Sequence, residues 1–294
     1  MFGHRPDGYL VKDIDPIVAL TSYIMPMRID AQVMMDFDVD YEKLARYVVQ
    51  KGQEGHKITF MDVVIAAFVR SVSELPELNR FIINKRVYAR KYLSVAFTLI
   101  KSTSDEVGKK VEENAVKGYF LPTDTIFDVE KRVAKLVEDG RNEETDTATL
   151  KMAKLLMNPV LANIVVGLAR FLDRYGLAPG ALLDLSPFHT SLYLTNMASI
   201  GMPAVKHHIY NFGSTTMFWS IGAVKRSLEL QKDGTVKRTR RLPFGVNVDE
   251  RVAPGRVYGM MVGCMMKYLA DPSLLETPPE FVNKDNGHEI TLPK

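Results

Sequence analysis

Few side chains in this 294-residue chain are suited to moving a proton near neutral pH: six histidines and one cysteine. His207 and His208 are adjacent in PAVKHHIYNFG. Imidazole is the side chain best matched to general-base work, although adjacent loop histidines are more often surface residues. His189 precedes Thr195 by six residues. If the two share a strand, its rise separates them by roughly 20 Å, too far for direct proton transfer. His4, His56 and His288 fall in polar termini or a loop. No histidine pair has helical metal-ligand spacing with a carboxylate partner, so no metal is expected. Cys264 lies in the apolar helical stretch VYGMMVGCMMKYLA, where a thiol is ordinarily buried and inert. A lone cysteine cannot form an internal disulfide, and nothing points to an oxidising compartment.

Two further stretches carry polar groups in a chemical setting. NVDERVAPG (247–255) presents Glu250 in a turn, and SLYLTNMASIG (191–201) presents Thr195, Asn196 and Ser199 at the end of a β-forming run. An ordinary glutamate, with a pKa of about 4.3, is a poor base for a thiol of about 8.5. Burial raises a carboxylate by several units in a suitable pocket. The plain alternatives are a solvated or salt-bridged glutamate and a structural threonine in a strand.

The elements that must position these groups belong to an ordinary folded protein, with 46% hydrophobic and 25% charged residues and a net charge of +3. That balance is too mild for a nucleic-acid partner. The most basic stretch, KDGTVKRTRR (232–241), reads as a solvated hairpin. The polar N-terminus is not a signal peptide. The most apolar stretch, NPVLANIVVGLARFL (158–172), is interrupted by Arg170 and is shorter than the roughly 20 residues of a membrane span. A cytoplasmic, soluble protein is expected. No linker, low-complexity block or internal repeat divides the chain, so one domain over 1–294 is expected.

Periodicity predicts a strand over 27–39 and a helix over 40–52 that stops at Gly52. Thr59 and Asp62 form a capping-box pattern for a helix that ends before Pro76. Two strands are expected in 81–102. An amphipathic helix follows over 124–140, capped by Asp124, with Ile126, Val129, Val133 and Val137 as its apolar stripe. Residues 145–187 read as two helices separated at Asn158-Pro159. Strands are expected over 191–197, 215–230 and 235–249, the last two joined at Asp233-Gly234. A final helix runs to Pro272. Helices and strands mix without strict alternation, which predicts an α+β fold with a mixed sheet.

Three stretches, in order, resemble one family. KITFMDVVIAAFVRSVSELPELNRFI is similar to a helix that starts at "TF" and ends at "P-E-L-N". SLYLTNMASIG is similar to a "T-[ST]-N-[LM]-G-S-I-G" strand. FGVNVDERVAPG, followed by a helix and LADPSLL, is similar to an "S-[FY]-D-H-R-V-x-D-G" turn and its sequel. The family is the catalytic domain of 2-oxoacid dehydrogenase acyltransferases, related to chloramphenicol acetyltransferase. The likeness spans about 25–275, with an apolar helical insertion over about 141–188.

The resemblance implies a chloramphenicol-acetyltransferase-like domain in a homotrimer, with the active site between subunits. It implies acyl transfer between a small-molecule donor and acceptor. Coenzyme A or an acyl thioester would serve as co-substrate, and no cofactor is held tightly. Thr195 falls at the position of the hydroxyl that helps hold an oxyanion, with Asn196 and Ser199 as substrate-binding positions. Glu250 stands where the base histidine is expected. Pro254 stands where an aspartate ties the turn to an upstream arginine, and no arginine lies between Lys12 and Arg28. Glu250, His207 and His208 are the candidate bases. The alternative is a catalytically inactive trimeric binding or scaffold protein that keeps the fold. The lipoyl-carrying and subunit-binding domains of complex-forming members are not in this sequence, so the core of a dehydrogenase complex is not expected. For the insertion, 148–188, packing on the sheet or a neighbouring subunit is expected, and a lid over an acyl chain or a membrane-surface contact is the sharper reading.

Overall fold

A computed structural model describes residues 5–100, 113–142 and 157–293. Its centre is a seven-stranded mixed sheet in the order β2-β10-β8-β7-β5-β6, with β9 paired to β10. The strands are β2 (Gln32–Asp40), β5 (Leu93–Ile100), β6 (Glu113–Phe120), β7 (Leu192–Asn196), β8 (Met217–Ile221), β9 (Lys225–Leu230) and β10 (Val236–Asp249). β7 runs parallel to β5 and β8, and the other pairs are antiparallel. A small second sheet joins β1 (Gly8–Leu10), β4 (Arg86–Arg90) and β3 (Arg80–Ile83). The expected α+β fold with a mixed sheet is present.

Strand alternation gives the large sheet two unlike faces. Val95, Phe97, Leu192, Leu194, Trp219, Phe244 and Val246 point inward and belong to one buried cluster. Against them lie α3 (Phe60–Glu74), which packs on α4 (Ile126–Asn142) and on α7 (Gly255–Ala270). Trp219 meets Phe68 of α3 edge-on at 5.8 Å. α3 begins where expected. The Thr59 hydroxyl accepts from Asp62 N at 3.2 Å, and the Asp62 carboxylate accepts from Thr59 N at 2.7 Å. The outward positions are Tyr193, Thr195, Phe218, Ser220, Gly245 and Asn247, neighbours across β7, β8 and β10.

Several boundaries differ from expectation. Residues 27–39 are not one strand: Ile29–Ala31 form a 3-10 turn before β2. The helix α2 (Tyr41–Gln53) passes through Gly52, and the positive φ falls at Gly55. Residues 80–90 fold back as a hairpin, because Asn84 and Lys85 adopt positive φ. The cap of α4 is Thr125, not Asp124. Thr125 exchanges hydrogen bonds with Asp128, while Asp124 accepts from Leu121 N and pairs with Arg132. Residues 215–230 break into β8 and β9 around Gly222. α1 (Pro16–Ile24) and β6 had not been anticipated. In the insertion, Asn158 caps α5 (Pro159–Arg174) by accepting from Val160 N and Leu161 N. The short α6 (Gly180–Leu185) follows it. The helix expected before Asn158, with Lys151, Met152, Lys154, Leu155 and Leu156, lies outside the described residues. In α5, Val160, Ile164, Leu168 and Phe171 are exposed, so this stripe does not pack on the chain's own sheet. No helix among the described residues is long and apolar enough to cross a membrane.

Candidate functional site

Thr195 is the fourth residue of β7, half-buried on the outward face. Among the described residues its hydroxyl makes only a loose contact, donating to Met197 Sδ at 3.6 Å, which a stronger acceptor can displace. The neighbouring hydroxyl on that face, Ser220 Oγ, is committed: it donates to Val205 O at 2.6 Å and accepts from Val205 N at 2.8 Å. Asn196 is exposed where β7 gives way to a 3-10 turn, and its carbonyl accepts from Ser199 Oγ at 2.7 Å.

That Ser220–Val205 pair belongs to a strap, residues 202–210, laid flat over the outward face. Two glycines permit the close approach. A Cβ on Gly222 would sit 2.1 Å from Ala204 N, and one on Gly245 would sit 2.3 Å from Val205 O. His207 lies further along the strap and stacks on Phe218 at 4.1 Å. Its carbonyl accepts from Asn247 Nδ2 at 2.9 Å, and its Nδ1 lies 2.7 Å from His208 O. A carbonyl only accepts, so Nδ1 carries a proton, and in the neutral ring Nε2 is the acceptor. His208 is exposed and stacks on His207. Thr195 and His207 therefore share one face, two strand positions apart.

Glu250 follows the last residue of β10. Its backbone N–H donates to Ala31 O at 3.0 Å. Its carboxylate is half-buried and has no hydrogen-bond or ion-pair partner among the described residues. Asp249 beside it is wholly buried and accepts from Arg251 Nε at 2.8 Å and Nη2 at 2.6 Å. Arg28 Nε lies 3.7 Å from the same carboxylate. Tyr258 donates to Asp249 O at 2.7 Å. The turn is thus tied to an upstream arginine after all, by Asp249 and Arg28 rather than through position 254. Pro254 is exposed and precedes the first residue of α7.

The register places Thr195 opposite Ser220 and Ser220 opposite Gly245, five residues before Glu250. Two strand spacings and five residues of rise separate Thr195 from Glu250 by roughly 20 Å within one chain. The structure brings Thr195 and His207 to one face and leaves Glu250 at its far end.

Sequence reasoning missed a buried polar cluster behind the small sheet. Asp173 pairs with Arg5 at 2.7 Å and with His189 Nε2 at 3.2 Å, and His189 Nδ1 lies 2.8 Å from Ser186 Oγ. The serine, histidine and aspartate are in sequence, but Arg5 also holds the aspartate and His189 is buried, which suits a bracket between α5 and the sheet. Burial pushes Asp173 up, and His189 and Arg5 outweigh it, holding the carboxyl below its usual range. Nearby, Lys117 donates to the carbonyls of Leu183, His189 and Ser186 at 2.7, 3.1 and 3.2 Å. Burial pulls its pKa down to about 8. The sequence analysis gave Lys117 no role, and β6, which carries it, had not been anticipated. Cys264 is half-buried, not fully buried. It lines a cleft of about 570 Å³, and burial and Glu74 push its thiol up to about 11, which keeps it unreactive. No group of three metal-binding side chains is found among the described residues.

No protein-family model matches the sequence, and no curated protein matches it. Solved structures do resemble the fold. The cubic core of the pyruvate dehydrogenase multienzyme complex superposes with a TM-score of 0.57 at 14% identity, covering 90% of this chain and 93% of that one. A probable dihydrolipoamide acetyltransferase from Listeria monocytogenes gives 0.55 at 12%, covering 87% and 92%. The dihydrolipoamide acetyltransferase of Azotobacter vinelandii, studied for the roles of a serine, a histidine and an asparagine in its catalytic mechanism, gives 0.56 at 13%, covering 90% and 93%. The chain has the fold of acyltransferase catalytic cores.

Proposed function

We propose that this protein transfers an acyl group from a thioester such as acyl-CoA to a small-molecule acceptor, at a site formed between subunits of a homotrimer. The supporting observation is the Thr195 hydroxyl, held among the described residues by no more than a loose contact to Met197 Sδ, on the outward face of an acyltransferase-core fold. Thr195 would donate to the oxyanion of the tetrahedral intermediate. Glu250 would take the proton of the attacking group, its carboxylate without a partner among the described residues and its turn fixed by Asp249, Arg251 and Arg28. Because one chain holds Thr195 and Glu250 roughly 20 Å apart, the two groups meet only if neighbouring chains supply one each. Asn196 and Ser199, exposed beside Thr195, would contact substrate.

His207 is the same-chain candidate for the base, since its Nδ1 bond leaves Nε2 as an acceptor. His208 would then serve to orient it through its carbonyl. A trimeric binding or scaffold protein without turnover is the second reading. It is favoured by Pro254 and Glu250 standing in a turn where the resemblance implies an aspartate and a histidine.

Incubation with a panel of acyl-CoAs, following free-thiol release, tests these readings. Thiol release by wild type that is lost in Glu250→Gln and kept in His207→Gln supports the proposed base. The reverse pattern assigns His207. No release with any donor and acceptor pair supports the scaffold.

A further inference from the structure

A cleft of about 300 Å³ lies between α1, α5, the β3–β4 turn and residues 211–213 just after the strap. Arg28, Lys85, Arg170, Arg174 and Arg251 line it, with Asp173 as the one lining carboxylate. That carboxylate is already held by Arg5 and His189. Arg251 is spent on Asp249, but the cations at the rim are not matched by carboxylates among the described residues. Arg170 and Lys85 meet no carboxylate among the described residues, and the Lys85 ammonium lies over the Tyr23 ring at 4.7 Å. The Nε of Arg174 has a neutral partner, Asn84 Oδ1, at 3.0 Å.

The floor is the telling part. Arg28 is buried, with its Nη1 on Tyr210 O at 2.9 Å and its Nη2 on Gly213 O at 2.7 Å. Among the described residues its Nε has no hydrogen-bond partner, and the nearest carboxylate, Asp249, is 3.7 Å away and already bound by Arg251. With both Nη on carbonyls and Nε turned to Asp249, Arg28 offers the cleft its positive charge rather than a free N–H. Burial draws Arg28 down to about 10, the direction expected of an under-compensated cation. Ile82 and Phe212 give the cleft apolar walls.

We propose that this cleft is a binding site for a phosphate dianion, either a free phosphate or the phosphomonoester end of a larger molecule. Arg170, Arg174 and Lys85 come from two elements and meet no carboxylate among the described residues, and the clustered oxygens of one phosphate can face several such donors at once. The cleft lies away from Thr195 but shares Arg28 and Arg251 with the Glu250 turn, so phosphate binding is read without turnover and is tested separately from acyl transfer. Arg170 and Arg174 come from the insertion helix α5, which gives that helix a ligand-holding role.

Calorimetric titration of the whole chain at fixed ionic strength tests this with inorganic phosphate, glycerol 3-phosphate and succinate. Co-sedimentation with phosphatidylcholine vesicles, with and without phosphatidic acid, tests the lipid source. The phosphates should bind and succinate should not. The exposed pair Arg170→Ala/Arg174→Ala should weaken phosphate binding by about tenfold or more. Arg226→Ala/Arg238→Ala on the exposed β9–β10 hairpin should leave it unchanged. Binding to phosphatidic acid vesicles, lost in the cleft pair, assigns a lipid headgroup; binding only to the free phosphates assigns a soluble ligand. No phosphate binding, equal binding of succinate, or equal weakening by the hairpin pair overturns the proposal.

Discussion

Arg28 Nε stands 3.7 Å from Asp249 Oδ2, and both side chains are almost wholly removed from water. Arg251 holds both oxygens of that carboxylate, so Asp249 faces two buried cations at once. Removing one partner of a buried ion pair strands the other. Asp249→Asn should therefore cost about 3 kcal/mol of unfolding free energy, measured by urea denaturation. A loss well under 1 kcal/mol would show that the guanidiniums find other partners.

The strap rests on glycine. Gly245→Ala would place a methyl 2.3 Å from Val205 O and 2.9 Å from Ser220 Oγ, both held by hydrogen bonds. Overpacking of this kind costs about 1–3 kcal/mol. Amide exchange over 202–210 should quicken more than in β8 beneath it. Unchanged exchange in the strap would mean that the backbone contact is not what seats it.

The strap also shows what the sequence could and could not disclose. Thr59, Asp62 and Pro76 bound α3 by local chemistry, and α3 forms where that chemistry says. The Asp233-Gly234 turn joins β9 and β10 for the same reason. Gly222 and Gly245 carry no such signal, because their cause is a segment many residues away lying on them. The Asp249–Arg28 tie was hidden in the same way: its partners are 221 positions apart, and their burial is a tertiary fact. Asp124 and Thr125 are both sound caps, and only the geometry of the turn chose Thr125. Thr195 and Glu250 were legible as residue types. Their separation needed the register of β7, β8 and β10.

Lys117 gives a pH signature. Its pKa is about 8 in the folded chain, against an ordinary 10.5. Between these values the unfolded chain binds the proton more strongly, so stability rises with pH across about 8 to 10.5. The slope from this group is at most about 1.4 kcal/mol per pH unit. Chemical denaturation across that range should show the rise in wild type and a flatter curve in Lys117→Met. Identical slopes would contradict the assignment. Below pH 8, Lys117→Met should also lose stability, because three carbonyls lose their donor.

Asp173 acts at the acid end. Its carboxyl is held below the usual range by His189 and Arg5 against burial. A depressed acid contributes stability above its unfolded pKa of about 4, and that contribution is lost as pH falls through the folded value. Asp173→Asn should be less stable at neutral pH and lose less further stability on acidification below about pH 4. Parallel acid limbs for the two proteins would refute the bracket.

The central claim is that Thr195 and Glu250 work together only across a subunit boundary. Thr195→Ala and Glu250→Gln should each abolish thiol release from acyl-CoA. Unfolding the two variants together and reassembling them should restore it. If each site takes one group from each of two chains, random mixing leaves roughly a quarter of the sites complete. Activity near that level in the mixture, with both parents silent, is the predicted result. An active wild type whose mixed variants stay silent, or a single variant that retains full turnover, would contradict it.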